Sequence, residues 1–211
     1  MADWATISAL ATGGGTLALA AATFASVRSA NRSARLAELA LQEQRRPVLV
    51  HSREDDHAES VPFIGRQPTS VPGGGAVVAA EGDVIFLAIS LRNVGAGLAV
   101  LQAWQGYGEL LAGPDHPPTD FDDFRPLRRD QYIAAGDVGI WQGAVRDPAD
   151  ALRAPLAAVA TERVGFTIDL LYTDQVGGQR TISRFGVLPS NEGGWWTAAA
   201  RHWYLDAPAP R

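Results

Sequence analysis

The sequence contains neither lysine nor cysteine, and these two absences exclude several classes of function. Because all 18 basic residues are arginines, Schiff-base catalysis and the phosphate-binding lysines of P-loop and kinase folds are excluded. Without cysteine, the chain has no thiol nucleophile, no cysteine-ligated zinc or iron-sulfur cluster and no disulfide framework. The formal net charge is -5, so the composition predicts no nucleic-acid partner.

The chain has an ordinary share of apolar residues. Its 211 residues suffice for one domain with an appendage, and 46% of them are hydrophobic, which is typical of a folded protein. These apolar residues follow two different patterns, one before and one after Pro47.

Residues 1–27 predict a transmembrane helix, with the lipid bilayer as its partner. No charged side chain interrupts the run from Trp4 to Val27, and roughly 20 residues of helix span a bilayer. Alanine and glycine are abundant in this run. Its large apolar residues are Trp4, Ile7, Leu10, Leu17, Leu19, Phe24 and Val27.

Two alternatives remain open for this segment. A cleaved secretory signal would begin with positive charge, whereas this chain begins with Met1, Ala2 and the acidic Asp3. A soluble helix buried in a core would leave the absence of a charged face unexplained. We favour a membrane anchor that is retained.

The charges beside the run predict its orientation. Arg28, Arg32 and Arg35 follow it, whereas Asp3 precedes it, and positive residues next to a span stay on the cytoplasmic side. We therefore expect a single-pass protein of the cell membrane, with its amino terminus outside and its carboxy-terminal domain in the cytoplasm.

Small residues recur every four positions along the same run. Gly14, Ala18, Ala22 and Ser26 form a ridge along which two helix backbones can approach closely. Such spacings also arise by chance in a segment rich in alanine and glycine. Chance is the simpler explanation of the ridge, and a homo-oligomer held together by the transmembrane helix is the alternative.

Residues 28–46 predict an amphipathic stalk helix. Good helix formers fill this segment, and Pro47 disfavours the helical conformation at Arg46. One nearly continuous helix from Trp4 to about Arg45 would hold the following domain away from the bilayer.

Residues 47–211 predict a mainly β fold, an antiparallel immunoglobulin-like β-sandwich. Short apolar or alternating segments are separated by glycine, proline and aspartate clusters, without repeated helices between them. The strongest predicted strand is 83–92, and 132–145 and 163–173 are further candidates. A helix is expected within 147–160, while 195–205 is either a last strand or a terminal helix.

The order of these segments resembles a known group of proteins. An apolar amino-terminal helix precedes the segment from Gln44 to Val50, a strand ends in the segment from Leu91 to Ala99, and a hairpin follows Tyr172-Thr173-Asp174. This arrangement resembles a loosely defined group of small membrane-anchored actinobacterial proteins with an amino-terminal transmembrane helix and a β-sandwich. The group has no assigned function, so the resemblance implies an architecture and no catalytic residues.

No catalytic, metal or cofactor motif stands out. His51 and His57 flank Glu54-Asp55-Asp56, but without the spacing of a metal site, and a solvated acidic loop explains them better. Asp115 to Asp123 lacks the order of a calcium loop. We therefore predict no catalytic residue, no metal and no cofactor.

The remaining candidate is an aromatic cluster near the carboxy terminus. Trp195, Trp196, Arg201 and Trp203 form a possible partner surface, because aromatic residues with arginine are frequent in binding hot spots. Closure of the domain core is the simpler explanation for most of them. The sequence thus predicts a membrane-anchored, non-catalytic binding or scaffolding module with an unknown protein partner. The alternatives are a secreted or cell-surface sandwich that binds carbohydrate or a receptor, and an enzyme of unrecognised type.

Overall fold

The protein was analysed as a computed structural model that describes residues 3–64, 67–111, 113 and 115–206, without the side chains of residues 5–7 and 9–11. The chain divides into two compact units, Met1–Gln44 and Arg45–Arg211. We treat each unit by itself.

The first unit is a single helix, α1 (Trp4–Gln44), of 41 residues. Its described side chains are exposed, including Leu17, Leu19 and Phe24 at 70% or more. Within the described part of the chain, no helix combines the length and the hydropathy required to cross a bilayer. The side chains of Ile7 and Leu10, which belong to the predicted span, lie outside the described residues.

Threonine hydroxyls in α1 are satisfied inside the helix. Thr12, Thr16 and Thr23 each donate a hydrogen bond to the carbonyl oxygen four residues earlier, at 2.8 to 2.9 Å. These contacts remove the need for water at three of the polar groups that dilute the apolar run.

The second unit, which we call the β-unit, is mainly antiparallel β, and the predicted fold class is confirmed at that level. Nine strands form one curled sheet in the order β1-β5-β4-β11-β10-β9-β6-β7, with β8 paired to β5. The strands of this sheet are β1 (Leu49–His51), β4 (Gly75–Glu81), β5 (Val84–Asn93), β6 (Ala99–Tyr107), β7 (Arg125–Ile133), β8 (Val138–Val145), β9 (Phe166–Thr173), β10 (Arg180–Pro189) and β11 (Trp195–Tyr204). A separate hairpin pairs β2 (Glu59–Val61) with β3 (Thr69–Val71), and α2 spans Arg153–Glu162.

Two sequence predictions need correction here. The segment 132–145 is two strands, because the chain turns between β7 and β8 at Gly136, whose φ is 76°. Strand β7 also begins earlier than predicted, at Arg125. The undecided last segment is a strand, β11, paired along β10.

The core lies inside the curled sheet and is completed by α2. The buried apolar side chains of β5, β6, β8, β9 and β10 form the main cluster, which Leu156 and Val159 of α2 join. A T-shaped contact joins the rings of Trp104 and Trp141, whose centroids are 5.1 Å apart. The nearly continuous burial of β5 and β9 explains why their sequences lack a polar face.

Asn93 fixes the turn that follows β5. Its side chain donates to the carbonyl oxygens of Gly97 and Ile133 and accepts from the N–H groups of Val48 and Gly95. A Cβ atom on Gly97 would lie 1.7 Å from the carbonyl oxygen of Arg45, so only glycine fits there. Two of the segments that carry the resemblance, the one from Gln44 to Val50 and the one from Leu91 to Ala99, therefore contact each other.

Candidate functional site

The curled sheet leaves two strand edges facing each other. Among the described strands, β7 pairs only with β6 and β8 pairs only with β5. Residues of β7 and β8 nevertheless come close enough to contact one another. The sheet thus nearly closes at this seam without a continuous backbone ladder.

A side chain takes the place of the missing ladder. The Nε2 of Gln131 in β7 donates to the carbonyl oxygen of Gln142 in β8, and the Oε1 of Gln131 accepts from the N–H of Gln142, both at 3.3 Å. The carboxamide therefore makes the pair of hydrogen bonds that a residue of a neighbouring strand would make.

An open groove of about 610 Å³ extends from this seam. Its walls are β7, β8, Trp104 of β6 and the segment that follows β2. A second, smaller cleft of about 160 Å³ continues beside β2 and shares four residues with the first. The shared residues are Pro62, Arg129, Gln131 and Gln142.

Arginine dominates the charge of the groove. Arg128 and Arg129 are exposed, and the structure gives their guanidinium groups no ion pair within the described residues. Arg146 lies over the ring of Phe86, 5.4 Å from its centroid, and donates to the carbonyl oxygen of Ile64. Three guanidinium groups without a carboxylate partner among the described residues therefore line a groove in a chain whose net charge is negative.

The fourth arginine of the groove is neutralised. Arg125 forms a two-pronged ion pair with Asp150, in which Nη2 lies 2.7 Å from Oδ1. This contact, first among several causes, holds the pKa of the Asp150 carboxyl below its usual value. Arg125 also lies over the ring of Trp104, at 5.6 Å, and so forms the rigid end wall of the groove.

Strand β8 presents unused hydrogen-bonding capacity to the groove. Backbone groups alternate in direction along a strand, so the N–H and C=O groups of Ile140 and Ala144 point the same way as those of Gln142. The side-chain Oε1 of Gln142 is buried without a hydrogen-bond partner among the described residues. A buried acceptor of this kind costs free energy until a donor reaches it.

Strand β7 is not regular, because a bulge interrupts its pairing with β6. Leu101 pairs with Gln131 and Ala103 pairs with Pro126, so the residues 127–130 loop out opposite a single residue of β6. Arg128 and Arg129 lie on this bulge, while the neighbouring Asp130 accepts a hydrogen bond from Tyr132.

The structure separates the four residues of the predicted aromatic surface. Trp195 is buried and stacks edge-on against Phe166 in the main core. A register shift opposite Arg184 and Phe185 changes the facing of β11, and Trp203 is buried in a different cluster, with Arg201 over its ring.

Trp196 remains 50% exposed and lines a separate cleft of about 470 Å³. The cleft also contains His51 and the glycines 73–75. The N–H of Gly74 is used internally, because it donates to the Ser52 hydroxyl. This cleft therefore has an aromatic wall and little free polar capacity in its glycine loop.

One pair resembles a catalytic dyad but is closed to substrate. The Ser183 hydroxyl lies 2.7 Å from Nδ1 of His202 and 2.9 Å from the Tyr172 hydroxyl. Ser183 is 0% exposed, so no substrate carbonyl can reach its oxygen. The Tyr172 hydroxyl instead accepts from the N–H of Leu49, and the chain of contacts joins β1 to β9, β10 and β11.

The acidic segment near His51 is a network of local contacts. Arg92 forms an ion pair with Asp56, which also accepts from the N–H of Arg53, and His57 pairs with Glu59. In the portion of the chain that the structure describes, no three histidine or acidic residues form a group that could hold a metal ion.

The other predicted residues lie on α1. Gly14, Ala18, Ala22 and Ser26 are exposed. Arg28, Arg32 and Arg35 are exposed as well.

Sequence reasoning missed the groove. Three of its four arginines belong to Arg-Pro-Leu-Arg-Arg-Asp, residues 125–130, which lacks the alternation of a strand. The proline in this segment is a signal of an edge strand, because proline donates no ladder hydrogen bond. The role of Gln131 depends on a partner in another strand edge and has no local signal.

The comparisons with known proteins give no family. No protein-family model matches the chain, and no curated protein matches it. Among solved structures, one match is the "Putative ApaA Protein from Bordetella pertussis", which is 9% identical, with a TM-score of 0.24. The match covers 79% of this chain and 98% of that chain. At this identity and TM-score the likeness carries no argument about this protein.

Proposed function

We propose that this protein is a membrane-anchored, non-catalytic binding module whose β-unit holds a protein partner in the groove between β7 and β8. The observation that carries the proposal is the Gln131 carboxamide, which holds the place of a missing strand on the edge of β8. An edge that is occupied by one side chain can exchange that side chain for a partner's backbone.

The β-unit is, in this proposal, an immunoglobulin-like β-sandwich. Its antiparallel strands enclose a main apolar core, as the sandwich architecture requires. Sandwich domains bind partners through edges and loops while the core stays rigid.

The burial of Ser183 supports a binding role over a hydrolytic one. Its hydroxyl contacts His202, but both groups serve contacts among strands. By contrast, the groove offers exposed charge and one unpaired acceptor, Oε1 of Gln142, and its described lining residues include no serine, threonine or cysteine.

We propose that α1 attaches the protein to a cell membrane, with the β-unit in the cytoplasm. The uncharged run from Trp4 to Val27 supports this role, as do the threonine hydroxyls that bond within the helix. Arg28 and Arg32, on the following turns, would favour the cytoplasmic side.

Membrane attachment is tested by fractionation of cells that express the full chain. Leu19→Arg places a charge within the proposed span, and we expect it to move the protein from the membrane to the soluble fraction. Leu39→Arg is the matched control beyond the span and should leave the distribution unchanged. Equal distributions for both variants would contradict attachment through α1.

Binding in the groove is tested by site-specific photo-crosslinking in the same cells. A photoreactive residue at Arg129 should give a discrete adduct, whereas one at Val176, which is 78% exposed in the turn between β9 and β10, should not. Adducts of equal yield from both positions would reflect random collision and contradict the proposal.

A second candidate is a cell-surface module that binds carbohydrate. Trp196, exposed beside the glycine loop, is the observation that favours it, because sugars stack on aromatic rings. Quenching of tryptophan fluorescence by oligosaccharides that disappears in Trp196→Ala would support this candidate.

A further inference from the structure

We infer that the partner of the β7–β8 groove is an extended acidic segment of a protein, which adds as a strand along the edge of β8. This inference rests on the proposed function, in which that groove is the binding site, and it adds the conformation and the charge of what is bound.

The backbone of β8 favours an extended ligand. The N–H and C=O groups of Gln142 point away from β5 to Gln131, and those of Ile140 and Ala144, two residues away on either side, point to the same edge. The Gln131 carboxamide forms hydrogen bonds only with the backbone N–H and C=O groups of Gln142. An added strand would replace these two hydrogen bonds and satisfy the edge groups of Ile140 and Ala144 as well.

The Gln131 carboxamide is easily replaced by a strand. Its two hydrogen bonds are 3.3 Å long. They are therefore weaker than usual backbone hydrogen bonds, whose length is about 2.9 Å. The buried Oε1 of Gln142 gains a donor if the incoming strand places a side-chain hydroxyl or amide beside it. The exchange thus loses two long bonds and gains a larger set of hydrogen bonds.

Strand β7 cannot itself close the sheet. Pro126 has no N–H to donate, and residues 127–130 bulge away from their neighbour β6. The groove beside β8 is therefore kept open by the covalent structure of β7 as well as by its charges. This explains why the seam is bridged by one side chain and not by a ladder.

The charges of the groove select an acidic ligand. Arg128 and Arg129 project from the bulge, and Arg146 stands near the carboxyl end of β8. Two carboxylates line the groove as well: Asp150 is paired with Arg125, and Asp147 accepts a hydrogen bond from the N–H of Ala149. Carboxylates on alternate residues of an added strand would lie on one face, as these arginines require.

Glutamate and valine in alternation provide a direct probe. We would use a fluorescent peptide of this pattern, as long as the eight residues of β8, and measure fluorescence anisotropy with the purified full chain in detergent. The acidic peptide should bind, and the matched peptide of alternating lysine and valine should bind at least about tenfold more weakly. Added salt should weaken the acidic peptide's binding.

Variants of the protein separate charge from backbone pairing. The double variant Arg128→Ala with Arg129→Ala should lower the affinity for the acidic peptide by about three- to tenfold, which is the size expected for two exposed ion pairs. Arg201→Ala, on β11, is the matched control and should leave the affinity unchanged. Ala144→Pro removes one edge N–H and should weaken binding by about fivefold or more, as the loss of one hydrogen bond predicts.

A change in the peptide keeps the test valid if Ala144→Pro does not fold. N-methylation of alternate backbone nitrogens in the acidic peptide removes the donors on one edge. Two peptides are compared, one methylated at the odd-numbered nitrogens and one at the even-numbered nitrogens. Methylation of the set that faces β8 should abolish binding, whereas methylation of the set that faces away should not.

Failure of this inference is distinguishable from failure of the proposed function. Equal binding of the lysine and glutamate peptides would overturn the acidic preference and leave the groove as a binding site. Tolerance of N-methylation on both registers would overturn strand addition. Absence of binding by either peptide, together with a groove-specific adduct at position 129, would overturn the inference while the proposed function stands. Absence of both would overturn both.

Discussion

Arg184 donates two hydrogen bonds to Asp169 on the neighbouring strand, at 2.8 Å from Nε to Oδ1 and 2.7 Å from Nη2 to Oδ2. The two side chains are 3% and 0% exposed, so the ion pair is buried. Arg184 also donates to the carbonyl oxygens of His116 and Pro117, and Thr119 donates to Asp169. The pair therefore fastens the loop between β6 and β7 onto the sheet.

Removal of one partner from this pair should be costly. Arg184→Ala leaves a buried carboxylate without its cation, and we expect a loss of about 3–5 kcal/mol in the free energy of unfolding. Urea denaturation followed by tryptophan fluorescence measures this loss. Arg153→Ala is the control, because Arg153 pairs with Asp83, which is 83% exposed, and should cost less than about 1 kcal/mol. Similar losses for both variants would contradict the account.

The turn after β5 should tolerate no side chain at Gly97. Gly97→Ala would force a Cβ atom against the carbonyl oxygen of Arg45, and we expect a loss of about 3 kcal/mol or a failure to fold. Thermal unfolding monitored by circular dichroism measures the change. Gly178→Ala, at a position with open space around it, should change the midpoint far less. Equal midpoints for the two variants would show that the contact at Gly97 does not constrain the turn.

The stability of the β-unit should depend on His202 between weakly acidic and neutral pH. Burial lowers the pKa of His202 below the ordinary histidine value of about 6.5. The folded state thus binds fewer protons than the unfolded state, and the contribution of this residue is fully present above about pH 6.5. It is lost as the pH falls toward the lowered pKa of the folded state.

The free energy of unfolding, measured by urea titration at a series of pH values, should therefore decrease from neutral to weakly acidic pH. His202→Gln keeps a polar side chain without a titrating group and should reduce this dependence. An unchanged pH profile in His202→Gln would assign the dependence to other groups.

The absence of cysteine makes the proposed membrane orientation directly testable. Val176→Cys places a single thiol on an exposed turn of the β-unit. In intact cells it should be protected from a membrane-impermeant maleimide, and it should react after permeabilisation. Asp3→Cys, on the other side of the proposed span, should react with the maleimide in intact cells without permeabilisation. Labelling of Val176→Cys in intact cells would overturn the cytoplasmic placement and favour the cell-surface alternative.

Regular alternation and long apolar runs made much of the fold predictable. The long helix ending before Pro47 and the strands β5, β9 and β10 follow patterns that lie within the local sequence. Strand β7 was less predictable, because Pro126 and the charged residues after it suit an exposed edge and not a half-buried strand. The turn at Gly136 was also missed, because the residues that precede it are alanines, which do not mark a turn.

The candidate groove depends on contacts that are distant in the curled sheet. Gln131 and Gln142 are edge residues of strands with different partners, β6 and β5, and only the curvature of the sheet brings them together. The tryptophans near the carboxy terminus show the opposite case. Their aromatic character predicted importance, but the register shift in β11 decides which rings are buried.

Residue-resolved amide hydrogen exchange, with and without the acidic peptide, reports directly on strand addition along the edge of β8. We expect the peptide to slow exchange at the Ile140 and Ala144 amides, because these N–H groups become donors to an added strand. The amides beside Trp196 should exchange at an unchanged rate. Unchanged exchange at both β8 positions with saturating peptide, or protection confined to the cleft beside Trp196, would contradict the claim that the edge of β8 is the binding site.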